Sequence, residues 1–252
     1  MITIGGMAMI GWGRLSVIGA VLSALVAPSF VAAASERTDS DSQSVLRRVL
    51  TTVRADLKRV SADRFAEATS FADAVGEPFS VELKAWDRFS DVSDSFENGT
   101  ITLSLETKET RRDPLNPKDV ALRMIQIGGT SSNGRPYVAS NAFGARAVVT
   151  SLNGKGNALA IVGGLSERNF TYAIDATGPE ARSLDKNFRV IIEGTLQYLP
   201  TGKLANCDTD YVAPELSSPT EITTERCWVG ARISRIAFLD RHNGEVLKEW
   251  VQ

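Results

Sequence analysis

Cys207 and Cys227 are the chain's two cysteines, and His242 is its one histidine. These three side chains bound the chemistry that 252 residues can support. A dithiol redox pair is normally spaced C-x-x-C, and this pair is not. Two cysteines set far apart in an exported chain read instead as one structural disulfide. The segment between them contains Pro214 and Pro219 and several turn-forming residues. A single histidine excludes zinc sites built on two or three histidines of one chain. His242 precedes Asn243-Gly244, so it reads as an exposed turn residue rather than a catalytic base.

Other short patterns start towards a chemistry and stop. Ser183 and Lys186 have the Ser-x-x-Lys spacing that puts both on one helical turn, but Ser-Asp-Asn and Lys-Thr-Gly partners are absent. Gly129-Thr130-Ser131-Ser132-Asn133 ends in the wrong residue for a nucleophile elbow. Gly154-Lys155-Gly156-Asn157-Ala158-Leu159 begins like a dinucleotide loop. It lacks the third glycine, and a strand pattern rather than a helix follows, so it reads as a hairpin. Asp87, Asp91, Asp94 and Glu97 offer oxygens to calcium without the loop spacing or the turn glycine, and read as a solvated loop. No cofactor or metal motif is complete. Two acids of a glycosidase can come from anywhere in a chain, yet aromatic sugar platforms are scarce at 7% aromatic residues. Trp86, Trp228 and Trp250 read as core or interface positions. Asn98-Gly99-Thr100 and Asn169-Phe170-Thr171 match the glycosylation sequon, which counts only in a eukaryotic source.

The elements that must position these residues begin with a leader. Arg14 is the only charge in residues 1–34, and an apolar run from Leu15 to Val31 ends in Ala32-Ala33-Ala34. This is the pattern of a secretory signal peptide cleaved after Ala34. The alternative is an uncleaved anchor over Leu15–Ala34, about the span of a bilayer core. Export places the protein in the periplasm or outside the cell. Net charge is −2 with no basic excess, which argues against nucleic-acid binding.

Residues 35–76 form a polar start followed by an amphipathic helical segment. Val45, Leu46, Val49, Leu50, Val53, Leu57 and Val60 recur at three- and four-residue steps. Arg47, Arg54 and Lys58 line a neighbouring face, a candidate surface for an acidic partner or an anionic membrane. Asp56, Asp63, Glu67 and Asp73 dilute that charge, so an ordinary solvated flank competes with the reading. Gly76 and Pro78 stop the pattern.

From residue 77 to 252 the period switches to two. Phe79, Val81, Leu83 and Ala85 alternate with polar residues, and so do Ile101, Leu103 and Leu105. Four Asn-Gly pairs, at Asn98, Asn133, Asn153 and Asn243, signal tight hairpin turns and antiparallel neighbours. Gly178–Leu184 reads as a short helix between strands. The expected architecture is mainly β: an antiparallel β-sandwich, with a closed β-barrel as the alternative, preceded by the N-terminal helix. The functional expectation is an exported, non-enzymatic sandwich that binds a cell-envelope protein or ligand. A carboxylate-based hydrolase of envelope glycan and a lipid carrier in a barrel are the rivals. No transmembrane helix is expected after leader cleavage, and the sequence carries no signal for oligomeric state.

Overall fold

A computed structural model describes residues 45–59, 69–85, 90–110, 121–140 and 143–252. The expected leader, Trp86, Asp87 and part of the expected helical segment lie outside them. Residues 45–59 are helical (α1), and a single 3-10 turn follows at Ala72–Ala74. Then come β1 (Pro78–Lys84), β2 (Val92–Glu97), β3 (Thr100–Glu106), β4 (Lys108–Glu109), β5 (Arg123–Asn133), β6 (Tyr137–Ser140), β7 (Arg146–Gly164) and β8 (Asn169–Asp175). A second helix, α2 (Gly178–Asn187), precedes β9 (Phe188–Leu196), β10 (Ala205–Val212), β11 (Thr220–Asp240) and β12 (Glu245–Val251).

The described residues are mainly β and form two open sheets. One is three-stranded and antiparallel, in the order β2-β3-β8. The other is nine-stranded, and its spine runs β1-β9-β11-β7-β5-β4. Strand β11 is the girder of the large sheet. Its first part pairs with β7 and β10, and its second part with β9 and β12. Strands β7 and β9 both pair with Ala231–Ile233, so they flank opposite edges of β11. Register shifts near Ala231, Ile233 and Phe238 let so long a strand bend while keeping its partners.

Two expectations are corrected here. The β7–β11 pairing is parallel, so the large sheet is mixed rather than wholly antiparallel. A parallel pair needs a crossover, and the chain from β8 to β10 supplies it. The sheets also stay open, which removes the closed barrel.

The Asn-Gly signal divides in the same way. Asn98 (φ 52) and Gly99 (φ 82) turn the β2–β3 hairpin with φ > 0 at both positions, the type I′ requirement. Asn243-Gly244 turns β11 into β12. By contrast, Asn133 ends β5, with β6 resuming against the same partner three residues after Gly134. Asn153-Gly154 lies inside β7, in ladder with both β5 and β11, so this glycine-rich stretch is no hairpin. Pairing along both edges over many residues outweighs one local turn preference.

Strand β9 shows how the core is built. Phe188, Val190, Ile192 and Leu196 alternate inward and are fully buried. They share one core with Ile101, Leu103, Leu105 and Phe170 of the small sheet and with Leu46, Val49 and Leu50 of α1. Each such side chain contributes about 1.5–3 kcal/mol on burial. A line of edge-to-face rings crosses between the sheets: Phe188–Phe238 at 5.1 Å, Phe238–Trp250 at 4.8 Å and Phe170–Trp250 at 5.4 Å. Trp250 is therefore a core-edge residue, one of the core or interface positions expected of the tryptophans.

Candidate functional site

The basic residues of α1 divide by environment. Arg47 and Lys58 are exposed. Arg54 is drawn onto the large sheet, where its guanidinium donates to Glu225 Oε1, to the Gly156 carbonyl at 3.0 Å and to Asn157 Oδ1 at 2.9 Å. Its side chain is 19% exposed and that of Glu225 15%. The guanidinium fork suits this task because its donors point in fixed directions towards several acceptors at once. Arg54 thus clamps the helix to β7 and β11, while Arg47 and Lys58 remain on the outside.

Two residues beyond Arg54, the Asp56 carboxylate accepts from the Thr69 backbone N–H at 2.7 Å and from Arg59 Nη2 at 2.8 Å. Burial raises the pKa of Asp56. The Thr69 and Arg59 hydrogen bonds outweigh it and hold the group below its ordinary value. Arg48 adds an exposed pair to Asp73 at 3.5 Å.

The second candidate surface is the hairpin that carries the disulfide. Cys207 and Cys227 are joined, and they stand directly opposite each other in the β10–β11 ladder. Beyond the bridge the hairpin leaves the core. Tyr211, Val212 and Leu216 are all exposed. Tyr137 reaches across from β6, and its hydroxyl donates to Glu221 Oε2 at 2.6 Å. That contact raises the pKa of the phenol, because the carboxylate disfavours a second negative charge.

The remaining chemical candidates are dispersed. Asp91 is buried; its carboxylate accepts from the Gln126 N–H at 2.9 Å and from Lys108 Nζ, tying the small sheet to the large one. Asp94 and Glu97 lie on β2. Ser183 and Lys186 fall on α2 as their spacing predicts, and both are exposed. Asp240 is buried and accepts from the backbone N–H of His242 at 2.9 Å. His242 itself sits in the exposed turn. Trp228 is half-buried on β11. Asn98 and Asn169 are both exposed, the first in a turn and the second opening β8. Among the described residues, no group of three or more His, Cys, Asp or Glu side chains converges as a metal site would.

Sequence reasoning missed Glu225 and Asn157, the partners of Arg54. Their types are ordinary for a half-exposed strand, and only the packing of α1 across the sheet singles them out. Comparison with family models, curated proteins and solved structures returns no match.

Proposed function

We propose that this chain is an exported, non-enzymatic, sandwich-like β protein that binds a partner in the cell envelope. The shared core carries the reading: inward side chains of both sheets meet in one cluster, and among the described residues each buried carboxylate is bound by backbone N–H groups or a cation. Such carboxylates hold the fold and leave little for acid–base chemistry. The Cys207–Cys227 bridge supports an oxidising compartment. Among the described residues no helix is long and apolar enough to cross a membrane. The partner surface combines Arg47 and Lys58 of α1 with the exposed end of the disulfide hairpin around Tyr211 and Leu216.

Affinity capture from envelope extracts tests this. The wild-type chain should retain a specific protein that an Arg47→Glu/Lys58→Glu variant loses. Capture of nothing specific, together with turnover in an unbiased hydrolase screen, would sink the proposal.

A further inference from the structure

Strands β6, β7, β11 and β10 are successive neighbours in a staggered arm: β6 pairs with Arg146–Val149 of β7, β11 with Thr150 onward and β10 with β11 from Ile222 onward, while β5 takes over the β6 edge of β7 from Leu152. Its register is explicit. Val138 stands opposite Val148, and Leu152, Ile222 and Val212 form one row across β7, β11 and β10. Alternation along each strand puts these five on one face of the arm, together with Thr150, Thr220, Arg146 and Asp210. Val138 is 66% exposed, Val148 61%, Val212 50% and Ile222 36%. β-Branched apolar side chains in rows make the kind of face that sheets bury against other sheets. This face carries an exposed cation, Arg146, beyond its β6–β7 end and an exposed anion, Asp210, beyond the Val212 end.

We propose that this face is a two-fold interface between two copies of the chain. A two-fold contact uses the same patch on both partners and must be self-complementary. Opposite charges at the two ends of an apolar stripe satisfy that condition, because each copy's Arg146 meets the other's Asp210. With strands about 4.8 Å apart and residues rising about 3.3 Å each, an in-plane axis that makes this pairing also lays Val148 over Ile222 of the second copy. An anionic membrane fits less well, since Asp208 and Asp210 would face it. The patch covers roughly 300 Å² as a flat area at these spacings, less than the usual 800 Å² or so per partner. The pair is therefore weak, with a Kd expected in the micromolar range.

Sedimentation velocity on the purified full chain, over a concentration series crossing that range, tests the interface. Wild type should pass from monomer to dimer. Arg146→Asp and Asp210→Arg should each weaken the dimer about tenfold or more, and Val148→Asp should abolish it. The double reversal Arg146→Asp/Asp210→Arg should restore association, which neither aggregation through the N-terminal apolar run nor membrane binding would do. A chain that stays monomeric throughout overturns the proposal, as does a dimer indifferent to these substitutions or one the double reversal fails to restore. A monomer that co-sediments with phosphatidylglycerol vesicles through Val138 and Val148 also overturns it. The altered side chains are exposed or half-buried at the arm, and circular dichroism of each variant checks that the fold is kept.

Discussion

Arg54 and Glu225 are 171 residues apart in the chain and form an ion pair across the boundary between α1 and the large sheet. Both side chains are mostly buried, so removing one leaves the other charged in a poorly solvated place. Arg54→Ala should cost about 2–3 kcal/mol. Arg47→Ala, at an exposed position, should stay within about 0.5 kcal/mol. Urea unfolding of the two variants distinguishes this clamp from a mere surface contact. Equal and small effects would show that Arg54 does not hold the helix.

The disulfide spans 20 residues of sequence. In the chain-entropy picture, closing a loop of that size stabilises by about 3 kcal/mol. Cys207→Ser/Cys227→Ser should therefore lower the unfolding free energy by about 2–4 kcal/mol. The β10–β11 ladder holds the same two strands in register, so the native fold should survive and dichroism should be unchanged at low temperature.

Acid should destabilise the helix anchor. The pKa of Asp56 is lowered in the folded protein from an ordinary value of 3.8. A depressed folded pKa stabilises the fold at pH values above the unfolded pKa, and that contribution is lost as pH falls through the folded one. Asp56→Asn should therefore be less stable than wild type near neutrality. The gap should close progressively as pH drops below 3.8. Glu180 behaves in the same direction. Its carboxylate accepts from the Thr177 N–H and hydroxyl in a capping box, which lowers its pKa despite burial acting the other way. Unfolding free energies measured across the acid range check both; a gap independent of pH would contradict the assignment for Asp56.

Two glycines should respond oppositely to a methyl group. A Cβ on Gly194 would sit 2.1 Å from the Arg232 carbonyl oxygen, where backbone of β9 and β11 must separate to admit it. Gly194→Ala should cost about 2 kcal/mol or more. A Cβ on Gly154 would be in ordinary contact with Thr224 at 3.5 Å. Gly154→Ala should be near neutral or stabilising, because alanine has fewer unfolded conformations to lose. Thermal melts of the two variants give the comparison directly.

Much of the β region was legible because alternation is a local property. Ile101, Leu103 and Leu105 point inward for the same reason that their neighbours are polar, and all three are fully buried. The helix at Gly178–Asn187 was legible from Gly178-Pro179-Glu180, which places proline and the capping acid in its first turn. Asn153-Gly154 misled because the pair states a turn preference without stating whether strands lie on either side. The helix face containing Arg47, Arg54 and Lys58 reads uniformly in sequence. In the structure it is split, since only Arg54 finds a carboxylate and a carbonyl on the sheet.

By itself the sequence determined the mainly β character and the disulfide, since two cysteines allow one intramolecular pairing. Residue type and short-range periodicity suffice for these. The parallel β7–β11 pairing, the open mixed sheet, the Arg54–Glu225 clamp and the exposed arm were decided by tertiary structure. Each depends on which distant strands share backbone hydrogen bonds and on where α1 comes to rest. Those choices are made by the summed burial of side chains far apart in the chain, and no local window of sequence contains that sum.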